Sequence, residues 1–106
     1  MYNKTLSEEL LNEFKKLRCI LISEKENNWI RGIDSIIEKL EWSVNDKCDD
    51  PVFFFHSSCD TWKMMDKGNN SFSDYYIWRD DFDERVRLNK IYQNVKGKIW
   101  DIVNND

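Results

Sequence analysis

Apolar residues recur at helical spacing in four segments of the chain. These segments cover approximately residues 6–22, 28–42, 51–65 and 83–103. In each of them, apolar side chains return every three or four residues, which is typical of a helix with one buried face. The chain has only three glycines and one proline, so few residues interrupt the segments. The pattern therefore predicts an all-α fold, a compact four-helix domain formed by residues 1–106 as a single unit.

The same spacing identifies the predicted core and the predicted helix starts. The expected core residues are Leu6, Leu10, Leu11, Phe14, Leu17, Leu21 and Ile22 in the first segment, Trp29, Ile33, Ile36, Ile37 and Leu40 in the second, Val52, Phe55, Cys59 and Trp62 in the third, and Leu88, Ile91, Val95, Ile99 and Ile102 in the fourth, flanked by Tyr92 and Val103. The expected N-caps are Thr5, Asn27 or Asn28, Asp50, and one acid near Asp81 or Asp83.

Two stretches leave alternatives open. The run 52–55 is apolar throughout and fits either a helix start or a buried strand, although Asp50 followed by Pro51 favours a helix. Residues 68–70, which read Gly-Asn-Asn, indicate a turn. Residues 70–78 contain several aromatic strand formers, so they fit a short extended or hairpin segment or a helical turn.

Charge is distributed unevenly along the chain. The net charge is −4, but residues 46–84 hold 10 acidic and 4 basic side chains, a balance of −6. Residues 85–106 hold 5 basic and 2 acidic side chains, a balance of +3. Phosphate binding needs clustered lysine and arginine, so the acidic middle argues against direct nucleic-acid binding. A basic protein is the partner that this charge favours.

The sequence also predicts where the protein works. The N-terminal residues are acidic and amphipathic rather than a signal peptide, and no stretch approaches the ~20 apolar residues that span a bilayer. Three cysteines, an odd number, fit a reducing compartment better than a disulfide framework. Many Asn, Lys, Ile and Asp residues are typical of the AT-rich genomes of some bacteria and phages. We therefore expect a cytoplasmic protein of bacterial type.

Three sets of residues have the composition of a chemical site. Cys48, His56 and Cys59 include possible metal ligands, but their spacing matches no established motif. His56 as a base for Cys59 would need positive surroundings to lower the thiol pKa, whereas this region is acidic. The carboxylates in residues 80–84 lack the ligand spacing of a calcium loop. The sequence thus predicts no catalytic residues, no metal site and no cofactor.

Aromatic and acidic residues lie close together in the stretch that leads into the last helix. Tyrosine and tryptophan surrounded by aspartate are typical of a surface that binds a basic protein. The alternatives are solvated acids that cap a helix and aromatic rings that fill the core around a loop. The predicted partner-binding residues are Asp74, Tyr75, Tyr76, Trp78, Asp80, Asp81, Asp83 and Glu84.

Part of the chain resembles a family of small uncharacterised bacterial helical proteins. In that family an apolar helix leads into Gly-Ser-Phe-Asn-Asp and a few aliphatic residues, followed by an acidic loop and a helix that opens near a glutamate. The counterparts here are Asn70-Ser71-Phe72-Ser73-Asp74, Tyr75-Tyr76-Ile77, Glu84, Leu88, Ile91 and Ile99-Trp100. Asn70 stands where the family has glycine, and Ser73 where it has asparagine. The resemblance covers about half the chain and implies a helical fold without an assigned activity.

In general type the chain also resembles the immunity proteins of bacterial toxin systems, which are small, acidic, aromatic-rich and without catalytic motifs. The sequence therefore predicts a non-catalytic protein-binding inhibitor, a cytoplasmic immunity protein that neutralises a cognate basic toxin such as a nuclease. One alternative is a phage-encoded inhibitor or DNA mimic that acts on a host defence enzyme. Another is a small enzyme or metal-binding protein built on His56, Cys59 and the acids.

Overall fold

A computed structural model describes residues 2–66 and 75–104, and these residues form four α-helices. The helices are α1 (Lys4–Ser23), α2 (Ile30–Ser43), α3 (Pro51–Met65) and α4 (Phe82–Asn104). The prediction of an all-α four-helix fold is confirmed, and the apolar run 52–55 is helical. Of the predicted extended or hairpin segment 70–78, residues 70–74 lie outside the described residues, and residues 75–78 form neither helix nor strand.

The two middle contacts of the described fold are made by α1, which packs against α2 and α4, and by α2, which packs against α1 and α3. The largest fully buried side chains come from three of the helices: Phe14 on α1, Phe55 and Trp62 on α3, and Tyr92 on α4. The rings of Phe14 and Trp62 meet edge to face, with centroids 5.4 Å apart. These large rings let a short chain fill one core.

The buried stripe of α4 differs from the predicted one. Tyr92, Val95, Ile99 and Val103 are buried, whereas Ile91 is 46% exposed. The helix is therefore rotated so that the residues predicted to flank the stripe belong to the core, and Leu88 and Ile102 are only partly buried. The reason is that two polar residues, Asn89 and Lys96, occupy buried positions of the same stripe, and an apolar pattern cannot reveal them.

Two predicted core positions at helix ends are exposed. Ile22 is 46% exposed because its neighbour Leu21 takes the buried position, and successive helical residues point about 100° apart. Val52 is 39% exposed because the buried stripe of α3 begins one turn later, at Phe55.

Two of the predicted caps are wrong and two are confirmed. Helix α1 is capped by Asn3, whose side-chain oxygen accepts from the Leu6 N–H at 3.0 Å, so Thr5 lies inside the helix. Helix α2 begins after Trp29 without a side-chain cap. Asp50 caps α3 through the Phe53 N–H, and Asp81 caps α4.

Helix α1 is followed, after its C-cap Glu24, by a residue with a positive φ. Lys25 has φ 59°, its N–H bonds the carbonyl of Ile22, and the Glu26 N–H bonds the carbonyl of Leu21. This is the hydrogen-bond pattern in which glycine is preferred, because an L side chain is strained there. The turn places Glu24, which anchors the candidate site described below.

Replacing Lys25 by glycine is expected to stabilise the protein by about 0.5–1 kcal/mol, since it removes this strain. Urea unfolding followed by circular dichroism measures the change. Lys15→Gly, at an exposed position inside α1, is the matched control and should destabilise by about 1 kcal/mol. A loss of stability for Lys25→Gly as large as that of the control would contradict the assignment.

Among residues 2–66 and 75–104, no helix combines the length and the apolar character that crossing a bilayer requires.

Candidate functional site: an acidic aromatic face

Three large aromatic rings lie on the surface between residue 76 and the first turn of α4. Tyr76 is 54% exposed, Trp78 is 62% exposed and Phe82 is 64% exposed. Three exposed carboxylates lie in the same stretch of chain, those of Asp80, Asp81 and Asp83. We call these six residues the acidic aromatic face. Clusters of exposed aromatic rings with a polar rim are a feature of protein-binding surfaces.

The large side chains of residues 75–78, before α4, alternate between the core and the surface. Ile77 is buried at 2% exposure, and Tyr75 is half-buried, whereas their neighbours Tyr76 and Trp78 point outward. The Tyr75 ring packs edge to face against Trp29 and Tyr92, at centroid distances of 5.6 and 5.4 Å.

Tyr75 therefore differs from the other predicted partner-binding residues, because its ring is part of the packing against α4. Burial raises the pKa of Tyr75, and the nearby carboxylates of Glu24 and Glu26 act in the same direction. Its hydroxyl therefore stays protonated through the physiological range. Asp74, also predicted to bind a partner, lies outside the described residues.

A single side chain on α4 holds the backbone at Ile77. The Ile77 N–H donates to Asn89 Oδ1 at 3.0 Å, and Asn89 Nδ2 donates to the Ile77 carbonyl at 2.7 Å. The same Nδ2 also donates to the carbonyl of Arg85 at 2.9 Å. Because Ile77 is buried and outside regular secondary structure, Asn89 supplies the hydrogen bonds that a neighbouring strand would otherwise supply.

A bidentate ion pair fixes the next part of the segment to α1. The Arg79 guanidinium donates to both carboxylate oxygens of Glu24, at 2.7 and 2.6 Å. It also reaches Glu84 at 3.3 Å. The hydrogen bond to Glu24 is the largest cause that raises the pKa of Arg79. Glu84, predicted as a partner contact, is therefore already engaged within the chain.

Replacing Arg79 by alanine is expected to lower the thermal unfolding midpoint clearly, because the Glu24 side chain is only 11% exposed and would lose its partner. The matched control is Arg18→Ala, which breaks the more exposed pair with Asp34 and should change the midpoint little. Differential scanning calorimetry at low and high salt compares the two. Equal shifts for both variants would mean that the Arg79 pair does not hold the segment.

The acids of the face have different roles. Asp81 Oδ2 accepts from the Glu84 N–H at 2.8 Å, so this carboxylate caps α4. Asp80 and Asp83 make no hydrogen bond or ion pair with any described residue. Both carboxylates are exposed to solvent, and Asp83 also lies in the favourable first turn of the helix.

The cation of Arg85 lies against two rings of the face. Its guanidinium carbon is 4.3 Å from the centroid of the Trp78 ring and 5.3 Å from that of Phe82. Sequence reasoning left Phe82 and Arg85 out of the predicted face. The i, i+3 spacing from Phe82 to Arg85 in the first turn of α4 was the signal that could have found them.

The residues considered for metal binding do not form a metal site in the described part of the chain. Within residues 2–66 and 75–104, no three His, Cys, Asp or Glu side chains are placed to hold a metal ion. Cys59 is 2% exposed, so its thiol is closed off from solvent, whereas His56 is exposed. A groove of about 560 Å³ runs along α2 and is lined by Asn27, Ile30, Arg31, Asp34, Ser35 and Glu38. It contains neither a thiol nor a histidine.

No family model matches the chain, and no significant match is found among curated proteins or solved structures.

Proposed function

We propose that this chain is a non-catalytic protein-binding inhibitor, a cytoplasmic immunity protein that neutralises a cognate bacterial toxin. The acidic aromatic face is the contact surface, and a basic toxin such as a nuclease is the partner. The single observation that carries the proposal is the exposure of Tyr76, Trp78 and Phe82 beside the exposed carboxylates of Asp80 and Asp83, which pair with none of the described residues. Such a surface combines desolvated aromatic anchors with charges that steer association.

The anchoring of the face supports the proposal. Asn89, the Arg79–Glu24 pair and the Asp81 cap fix the backbone at three successive points between residues 77 and 84. A surface that is already ordered loses less conformational entropy on binding, so more of the contact energy appears as affinity. The arrangement thus favours tight binding over transient contact.

Binding of such a face to the phosphate-binding surface of a nuclease would inhibit the nuclease. A nuclease carries a track of lysine and arginine that holds phosphates. Carboxylates that occupy this track exclude the nucleic acid, while the aromatic rings exclude water around the contact. The inhibitor needs no catalytic group and no cofactor for this action.

The experiment is co-expression of the chain with the product of the neighbouring gene in the native host's genome, followed by capture on a tag. We expect a basic protein that is toxic alone, harmless together with this chain, and recovered as a complex. The proposal fails if the neighbouring product neither binds nor loses toxicity and capture from the host lysate yields no basic protein. Capture of a host defence enzyme, released by competing DNA, would identify a DNA mimic instead.

A further inference from the structure

The acidic aromatic face already binds one guanidinium, that of its own Arg85. The guanidinium carbon lies 4.3 Å from the Trp78 centroid and 5.3 Å from the Phe82 centroid, both within the range of a cation–π contact. The two rings are therefore placed with their faces toward a cation rather than toward an apolar neighbour. This arrangement belongs to the chain itself and does not depend on any partner.

Arg85 leaves most of both rings uncovered. Trp78 remains 62% exposed and Phe82 remains 64% exposed with Arg85 in place. The exposed carboxylates of Asp80 and Asp83 flank the same rings along the chain. The surface thus offers open aromatic faces together with hydrogen-bond acceptors that no described residue uses.

From these contacts we infer that the face selects arginine over lysine on its partner, with Trp78 and Phe82 as the residues that determine the selectivity. The inference rests on the proposed function, since it specifies the partner that this same face binds. The occupant is an arginine side chain on a basic protein surface.

The chemistry of the two cations explains the choice. A guanidinium is planar, so it can stack on a ring and at the same time donate N–H bonds in its plane to a carboxylate. An ammonium is a compact, strongly hydrated charge that cannot do both with equal efficiency. Asp80 and Asp83 alone would attract either cation, so the rings are needed to distinguish a guanidinium from an ammonium. The positive charge of Arg85 also weakens the negative field of the face. This lowers the purely electrostatic attraction of a lysine ammonium to the face.

The test uses two labelled peptides of equal length and charge, one built of Gly-Arg repeats and the other of Gly-Lys repeats, measured by fluorescence anisotropy. We expect the intact chain to bind the arginine peptide about fivefold more tightly than the lysine peptide. In Trp78→Leu/Phe82→Leu the side chains stay apolar and the charge is unchanged, but the rings are lost, so the ratio should fall to about one.

Phe53→Leu is the matched control, because Phe53 is 59% exposed on α3, and this variant should keep the selectivity of the intact chain. Equal binding of both peptides by the intact chain would overturn the inference while leaving an acidic face able to bind a basic partner. Selectivity that survives the loss of both rings, or a preference for lysine, would overturn it as well. Binding of neither peptide would also refute it, whereas the proposed function is judged separately by co-expression with the toxin.

Discussion

Replacing Asn89 by leucine is expected to reduce the free energy of unfolding by about 3 kcal/mol. The Ile77 N–H and carbonyl both bond the Asn89 side chain, and Ile77 is 2% exposed. Leucine fills a similar volume but leaves these two buried backbone groups without partners, each of which costs about 1–3 kcal/mol. Small domains are stable by only about 5–15 kcal/mol, so the loss is a large part of the total.

Urea unfolding gives the free energy, and hydrogen exchange of the Ile77 amide tests the mechanism directly. The amide should be protected in the intact chain and exchange rapidly in Asn89→Leu. Asn94→Leu is the matched control on the same helix, because Asn94 is exposed, and its effect should stay within about 0.5 kcal/mol. An Ile77 amide that stays protected in Asn89→Leu would show that other groups hold the segment.

Much of the fold could be predicted because its signals are local. Asp50 followed by Pro51 marked the start of α3, and the cap and the helix lie where that pair indicated. The acidic cluster before α4 likewise indicated a cap, and Asp81 is that cap. Each of these features depends on residues within one helical turn, which are visible in the sequence.

The ion pair and the buried polar residues that sequence reasoning missed depend on residues far apart in the chain. Arg79 and Glu24 are separated by 55 positions, and nothing near either residue indicates the other. The apolar pattern of α4 marked neither Asn89 nor Lys96, yet both are buried, and Ile77 and Asp66 are their partners. Buried polar groups need specific partners, and only the folded chain reveals those partners.

The second large effect is expected from charge reversal on the face. Asp80→Lys/Asp83→Lys should weaken binding of the proposed toxin partner by at least about 100-fold, because two attractive charges become repulsive. Most of the change should appear in the association rate at low salt, since unpaired surface charges act mainly by steering. Asp81 is left unchanged because it caps α4, and its loss would confuse binding with stability.

The control for this variant makes the same change of charge elsewhere. Glu41→Lys/Asp60→Lys reverses two exposed acids, on α2 and α3, that make no ion pair with any described residue. Net charge is then identical in both variants, so any difference between them reports the position of the charges. Circular dichroism confirms that both variants remain folded before binding is compared.

The most direct measurement is surface plasmon resonance of the proposed toxin partner, obtained by co-expression, against the intact chain and these two double variants. We predict nearly intact affinity for Glu41→Lys/Asp60→Lys and at least about a 100-fold loss for Asp80→Lys/Asp83→Lys, with a slower association rate. Equal affinity of the two variants would contradict the assignment of the acidic aromatic face as the binding surface.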